Sequence, residues 1–490
     1  MASYWEEHLL RTEYPLLGEV TEADVCVIGG GITGMCIAFE LSRLGKQVVL
    51  LEAERVGSGA TSGTTAKVTV QHGGDCYTRL IGRRGEHHGV RYAAHALWAL
   101  QRYEELAKEY GLDFDYTRMP LYLYCNTEEG KGKLMEEKHA HERLGIQSQL
   151  VDPSALPFAA RAALMLPLQG SLHPLKLVLG LARVLQEGGG RIYEHSRVLK
   201  VGEDGVVTTA HGAVRAKQVV LATHYPIEDF GGRYFLKMYQ ERSYALGILA
   251  PSLLDAMYLG MEQDSVAYRP MGEFAAASGE SHETGKDPKG KPYPRLHQRV
   301  QQQLGEIKVY GCWNAQDCMT YDGVPLIGRY QKGDEVRFVA TGFGKWGMTH
   351  ALTAAKIIGE LVVTGNCKDE SLYAPYRFSV MDLSRGYRRH LGTTIASVTA
   401  GWMGLPSINK GGSVPGGRIR RRGGKRMGIY TTEFGEEIAV HAKCTHMGCG
   451  LKWNDVDKTW DCPCHGSRFD RFGNVLEAPA TRGLGEEDKA

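Results

Sequence analysis

Residues 24–34 read Asp24-Val25-Cys26-Val27-Ile28-Gly29-Gly30-Gly31-Ile32-Thr33-Gly34. The run to Ile28 has the length and composition of a strand buried on both faces. It empties into Gly29, Gly31 and Gly34, which fit G-x-G-x-x-G; Met35 to Leu44 then shows helical periodicity, and Gln47 to Leu51 returns as a strand ending at Glu52. This is a complete βαβ unit. In such a unit the first glycine permits the turn, the second lets a diphosphate approach the backbone, and the third allows close helix packing. Glu52, at the end of the second strand, is placed to hold a ribose hydroxyl. Strand, helix and acid in one register point to dinucleotide binding, where a bare glycine motif would indicate no more than a turn.

A second literal match, Gly342-Phe343-Gly344-Lys345-Trp346-Gly347, follows the apolar run Val336 to Thr341 and precedes a helical stretch from Met348 to Val363. No clear strand carrying a ribose-binding acid comes after Thr364-Gly365-Asn366-Cys367-Lys368-Asp369, so the unit is unfinished and no nicotinamide site is assigned to it. A helix N-terminus still favours negative charge, so this segment suits the far end of the same nucleotide. Gly190 to Val201 and Lys217 to Thr223 read as further strands, and Leu175 to Glu187 as a helix. The stretches around 75–170 and 236–312, richer in Tyr, Arg and charged residues, are expected to form a second, substrate-facing layer. Lys410 to Gly428 carries seven basic residues, no acid and abundant glycine, which reads as a linker or domain edge; its sharper reading is a docking face for an acidic electron-transfer partner.

The chain of 490 residues is several domains long at roughly 100–200 residues each. Its 58 Lys and Arg against 56 Asp and Glu leave a net charge of +2, too balanced for a nucleic-acid binder acting through bulk charge. No stretch approaches the length of a membrane span, and Met1 to Val20 has no basic flank followed by an apolar run, so the expectation is a cytoplasmic protein that is not integral to a membrane. Eleven cysteines, thinly spread, do not look like a secreted disulfide scaffold, yet four of them fall between 444 and 464.

Those four belong to Cys444-Thr445-His446-Met447-Gly448-Cys449 and Cys462-Pro463-Cys464-His465-Gly466-Ser467, a C-x-H box and a C-x-x-H box fifteen residues apart. Two thiolates and two imidazoles suit a Rieske 2Fe-2S centre, with Cys444 and Cys462 on one iron and His446 and His465 on the other. Structural zinc also accepts two Cys and two His, but two loops that each supply one of both do not follow zinc-finger spacing.

The boxes resemble those of Rieske proteins from respiratory and photosynthetic cytochrome complexes. That resemblance implies a disulfide between Cys449 and Cys464 that clamps the two cluster loops, and a hydrogen bond from Ser467 to a bridging sulfide. Phe469 stands where those proteins often carry tyrosine, which removes one hydrogen bond to a cluster thiolate and lowers the expected potential.

The small and hydroxyl-rich run from Ala53 to Lys67 resembles the flavin-contacting segment of the FAD-dependent D-amino-acid oxidase, sarcosine oxidase and glycine oxidase superfamily. Leu221 to Ile227, Tyr321 to Gly328 and Ala340 to Ala351 do so as well, in the expected order. Joined to the Rieske boxes, the whole chain resembles the bacterial Rieske-containing FAD-dependent oxidoreductases of that superfamily. The resemblance implies an α/β FAD-binding Rossmann-type domain (1–75, 170–235 and 313–380) with an α+β substrate domain (76–169 and 236–312). A helical segment and the basic linker (381–428) would then lead to a small all-β Rieske domain (429–490). It assigns FAD to Gly29, Gly31, Gly34, Glu52, Thr61, Ser62, Thr64 and Thr65, with Gly344, Lys345, Trp346, Gly347 and Met348 near the flavin ring. Arg242, Tyr244, Arg269 and Lys345 are the candidate catalytic or substrate residues, an arginine being able to hold a carboxylate bidentately. His282 and His350 read equally well as structural histidines.

The expected activity is that of a dehydrogenase: a small amine or amino acid gives a hydride to FAD, and electrons leave singly through the 2Fe-2S cluster to a one-electron acceptor protein or quinone. An oxidase that uses oxygen, with the cluster in a secondary role, and a redox-sensing electron-transfer module are the alternatives. A Rieske oxygenase is disfavoured because no facial-triad iron site is found. The two cofactors are expected in separate units. Phe469→Tyr is predicted to raise the cluster potential, because a new hydroxyl donor stabilises the more negative reduced state; redox titration reads this directly, and an unchanged or lower potential refutes it.

Overall fold

The computed structural model describes residues 4–6, 9–249, 254–286, 290–377, 392, 397–399 and 415–485. The βαβ unit nucleates its first sheet. Val20–Ile28 pairs in parallel with Val48–Leu51 and with Ala213–Leu221, in the registers Ile28↔Leu51 and Ile28↔Leu221. Arg191–Tyr193 and Arg337–Thr341 extend the parallel order on either side, and Leu326–Arg329 adds an antiparallel edge. Alternate residues enter two cores: Val25, Val27, Val48 and Leu50 join one, and Cys26, Ile28, Val49 and Leu51 the other. That two-sided burial explains why these strands read as continuous apolar runs. Helix Ile32–Arg43 packs against both Pro174–Glu187 and Gly347–Thr364.

The second sheet has nine strands, in the order Lys308–Thr320, Met238–Leu249, Phe274–Glu283, Ala267–Met271, Met257–Gly260, Thr117–Cys125, Ala162–Ser171 and Lys67–Val68, with Gln149–Val151 beside Ala162–Ser171. It departs from the expected boundaries. The cut at 312/313 falls inside Lys308–Thr320, which stays paired with Met238–Leu249 as far as Met238↔Thr320, and the cut at 169/170 falls inside Ala162–Ser171. Composition marks where a layer changes character; an unbroken ladder of hydrogen bonds carries a strand past that point.

The C-terminal unit is all-β, with a three-stranded sheet (Gly416–Arg422, Lys425–Thr431, Glu437–His441) and a four-stranded one (Lys452–Asn454, Thr459–Asp461, Arg468–Phe469, Val475–Glu477). The basic run is therefore no linker over 416–428. Gly423 and Gly424, with φ of +57° and +80°, turn a two-residue hairpin whose strands match that turn's twist. Alternation supplies its inner face: Ile419 is buried while Arg420, Arg421 and Arg422 are exposed. The helical segment expected from 381 lies outside the described residues.

This unit sits on the Met238–Leu249 and Lys308–Thr320 pair. Arg242, 0 % exposed, reaches Asp457 at 2.6 Å, and Asn314 donates to the same carboxylate at 2.9 Å. Arg468 meets Asp457, Asp461 and Glu477 at 3.3, 3.2 and 2.8 Å, and this acidic surround pushes its guanidinium pKa up against the opposing effect of burial. Removing one partner of a buried ion pair strands the other charge, so Arg242→Ala is predicted to cost about 3 kcal/mol. Chemical denaturation of the full chain measures it; a loss of only a few tenths, as for a surface ion pair, would contradict the burial of this contact.

Candidate functional site

A cavity of 970 Å³ lies at the C-terminal ends of the parallel strands and extends beneath the second sheet. Such crevices are where open α/β sheets bind ligands. Its lining includes Gly29, Gly31, Glu52, Thr61, Thr64 and Thr65, and also Gly344, Lys345, Trp346, Gly347 and Met348, so the two glycine motifs face one space. Gly34 and Ser62 do not. A Cβ on Gly34 would lie 1.9 Å from the Gly29 carbonyl oxygen, which assigns it to helix packing, and Ser62 Oγ donates to Gly59 O at 3.1 Å.

The residues present fit a flavin dinucleotide. A Cβ on Gly31 would meet only Thr61 Oγ1, at 3.1 Å, so the helix N-terminus beside it is open to a diphosphate. Thr61 Oγ1 accepts from Ile32 N at 3.0 Å and ties the hydroxyl-rich segment to that helix. Glu52 accepts from Gly30 N at 2.6 Å and Glu54 N at 2.9 Å, which fixes its carboxylate in the crevice; burial pushes its pKa up. The segment is held from outside by Trp5 Nε1, which donates to Thr64 O at 2.7 Å, and by Trp313 Nε1, which donates to Gly63 O at 3.1 Å. Across the cavity, helix Gly347–Thr364 begins without an acidic residue in its first turn or a side-chain cap, leaving its N–H groups to favour negative charge.

Not all candidate substrate residues reach this space. Glu241, Ser243 and Ala245 face the cavity, and strand alternation sends Arg242 to the opposite side, where Asp457 neutralises it; its expected role toward a carboxylate is corrected accordingly. Arg269 is buried away from the lining, donating to Leu172 O at 2.9 Å and stacked 4.8 Å from the Trp5 ring. Tyr244 borders the cavity, but its ring lies on the Arg242 side, 5.9 Å from that guanidinium; Lys345 lines the cavity, pairs with Glu241 at 3.0 Å and donates to Ser281 at 2.8 Å. His282 stacks on Tyr244, and His350 is buried with Nε2 2.9 Å from the Tyr92 hydroxyl. Lys67 was not among the candidates, although it closes the hydroxyl-rich run: it lines the cavity, and burial together with the nearby Arg269 charge pulls its pKa down to about 7.

The two Rieske boxes fold into loops of one design. Cys444 N donates to Cys449 O and Gly448 N to Cys444 O, at 2.8 and 2.9 Å; Cys462 N donates to Ser467 O and Gly466 N to Cys462 O, at 2.8 and 3.0 Å. A disulfide joins Cys449 to Cys464, which withdraws those two sulfurs from the metal-binding cluster of Cys449, Cys462 and Cys464 and leaves Cys444 and Cys462 as thiols. These two share a hydrogen bond that lowers the Cys444 pKa, with Ser467 assisting. The His446 and His465 rings lie 5.2 Å apart at 88°, and His446 Nδ1 is buried with no hydrogen-bond partner. Two thiols, two rings and an orphaned ring nitrogen fit a Rieske cluster. Sequence reading gave no warning that the flavin-side residue Asp229 would come within 3.1 Å of His446 Nε2, or that Gln316 would donate to Gly466 O at 2.8 Å; no spacing marks either.

A flavin crevice joined to a Rieske centre defines a two-cofactor oxidoreductase. Residues 24–361 match the family described as FAD dependent oxidoreductase and residues 410–486 the Rieske [2Fe-2S] domain, and the chain belongs to that FAD-dependent oxidoreductase family, with FAD and a Rieske 2Fe-2S cluster as its cofactors. It is 35% identical over 99% of its length, and 97% of the relative's, to the Rieske 2Fe-2S iron-sulfur protein YhfW of Bacillus subtilis. Gamma-glutamylputrescine oxidoreductase of Escherichia coli is 32% identical over 44% of this chain and 52% of its own. Glycine oxidase from Geobacillus kaustophilus shares the fold with a TM-score of 0.62 at 20% identity, over 73% of this chain and 100% of its own. No helix among the described residues is long and apolar enough to cross a membrane.

Gly31→Val is predicted to fold and to lose most of its flavin, because a Cβ there meets the Thr61 hydroxyl alone, which can yield, while a diphosphate would collide with it. Gly34→Val should instead fail to fold. Flavin absorbance per protein, read beside circular dichroism, separates the two; normal flavin content in Gly31→Val removes the diphosphate from this turn.

Proposed function

We propose that the protein is a dehydrogenase of a small amine or amino acid that passes electrons one at a time through its Rieske cluster to an external acceptor protein or quinone. The observation that carries this reading is the shared wall: Arg468, Glu477, Ala478 and Ala480 of the Rieske unit line the same cavity as Gly29 and Gly344 to Met348. Residues of the Rieske unit thus border the cavity that this reading assigns to FAD. In this reading Gly29, Gly31, Glu52, Thr61, Thr64 and Thr65 hold FAD, Gly344 to Met348 flank its ring, and Cys444, His446, Cys462 and His465 hold the cluster. FAD, when bound, supplies hydride acceptance and one-electron release. The protein contributes orientation: the second sheet roofs the cavity, and the Lys345–Glu241 pair offers the polar contacts that position a substrate. One relative named for gamma-glutamylputrescine and a structural neighbour named for glycine support a C–H bond beside an amine nitrogen as the one that reacts.

Deleting the Rieske unit would open the cavity, so the test replaces one ligand. Cys462→Ser is predicted to lose the cluster absorbance, keep FAD, and still be bleached anaerobically by the amine or amino acid that bleaches the parent, at a near-parental rate. Turnover with a one-electron acceptor should nearly cease. Full turnover with that acceptor would overturn the electron-exit role in favour of an oxygen-using oxidase.

A further inference from the structure

The cavity and the cluster loops meet at one side chain. Gln316, 4 % exposed, lies on the edge strand Lys308–Thr320, lines the cavity, and donates from Nε2 to the Gly466 carbonyl at 2.8 Å. Gly466 follows His465 directly in the chain. The Gly466 carbonyl can only accept, so it fixes Nε2 as the amide end that meets it, and Gln316 Oε1 accepts the Thr284 hydroxyl at 2.7 Å. The fit is tight: a Cβ on Gly466, where φ is +78°, would lie 2.4 Å from Gln240 Cγ and 3.1 Å from Gln316 Nε2.

The same strand touches the segment assigned to the flavin ring and the hydroxyl-rich segment assigned to FAD. Ala315 and Asp317, on either side of Gln316, line the cavity; Gly344 N donates to Cys318 O at 3.0 Å, and a Cβ on Gly63 would sit 3.3 Å from Asn314 O. From that strand to His465 the path is covalent except for one hydrogen bond. The competing path starts at Ile227, which lines the cavity beyond the dinucleotide turn, runs along the chain to Asp229 and crosses one polar contact, Asp229 to His446 Nε2 at 3.1 Å. Electron tunnelling decays more slowly through covalent and hydrogen bonds than across gaps; each path crosses one contact, and the Gln316 path is the one that begins on the strand bonded to Gly344, in the segment assigned to the flavin ring.

We infer that Gln316 is the electron bridge between the flavin and the histidine-ligated iron, entering the cluster loop through Gly466. This rests on the electron-exit reading above. Each passage moves one electron with no heavy-atom bond made or broken: reduced flavin is oxidised by one electron, one ferric iron becomes ferrous, and the proton released by the flavin goes to water. An external one-electron oxidant must empty the cluster before the second passage. Gln316 is a positioning residue and touches no reacting atom of the substrate.

The experiment uses the full-length holoprotein, anaerobic, with the flavin reduced by light in the presence of EDTA, so that no substrate identity is needed. Cluster reduction is followed by absorbance and by electron paramagnetic resonance. Gln316→Met, similar in length but without a donor, is expected to slow cluster reduction by at least an order of magnitude, with flavin content, resonance signal and cluster midpoint potential unchanged. Thr284→Val, which releases the amide and leaves the bridge residue in place, is expected to slow it several-fold and serves if Gln316→Met does not load its cofactors. Cluster reduction at the parental rate in both variants, slowing by Asp229→Asn alone, or slowing matched by a fall in midpoint potential would each overturn the bridge. If the parent itself shows no cluster reduction after flavin reduction, the electron-exit reading falls together with the bridge; parental transfer with unslowed variants removes the bridge alone.

Discussion

A guanidinium with no exposure to water has to be neutralised, and in this protein the neutralising carboxylate belongs to another folding unit. Arg242 projects from the rear of the substrate sheet onto Asp457, and Asp457 also faces Arg468, which is enclosed by Asp461 and Glu477. Breaking such a pair strands a charge in a poorly solvated place, at a cost of several kcal/mol. The network therefore seats the Rieske unit on the Met238–Leu249 and Lys308–Thr320 strands in one position. The remaining contacts between the units depend on that seat: Gln316 to Gly466, Asp229 beside His446, and the close approach of Gly285 to Pro463, where a Cβ would come within 2.8 Å.

The seat gives one strand two duties. Residues alternate along Lys308–Thr320 and Met238–Leu249, so Glu241 and Asp317, which are register partners, face the cavity, and Arg242 and Gln316, also partners, turn to the Rieske unit, with Gln316 at the sheet edge bordering the cavity as well. The cavity wraps around the edge of this strand pair and reaches Rieske residues there. Arg242 and Gln316 are both buried, so the strand pair meets the Rieske unit with little surface open to water.

The cluster histidines are covered by flavin-side residues. Phe230 lies 5.5 Å from the His446 ring and Phe235 lies 5.8 Å from the His465 ring, with Asp229 directly before Phe230 in sequence and held by Phe235 N at 2.7 Å and the Tyr225 hydroxyl at 3.1 Å. The groups around a metal ligand tune its basicity and its access to solvent. Here those groups come from the flavin unit, so the properties of the cluster belong to the assembled chain.

The βαβ unit was legible because its information is local: Val25 to Glu52 contains the strand, the turn, the helix and the acid, and each is dictated by neighbours a few residues away. The cluster ligands were legible for the same reason, since two short boxes supply all four, and the disulfide followed from resemblance. The basic run was misread over 416–428 because charge was weighed above the Gly423–Gly424 turn and the alternating Ile419, which are also local and were present. Arg242 is different. Its sequence neighbourhood, Glu241-Arg242-Ser243-Tyr244, states that alternate side chains face opposite ways, but not which face meets substrate and which meets another domain. That choice, like the meeting of Gln316 with Gly466 across 150 residues of chain, is made by long-range packing, in which burial of charge and a shared strand edge select one arrangement that no local pattern encodes.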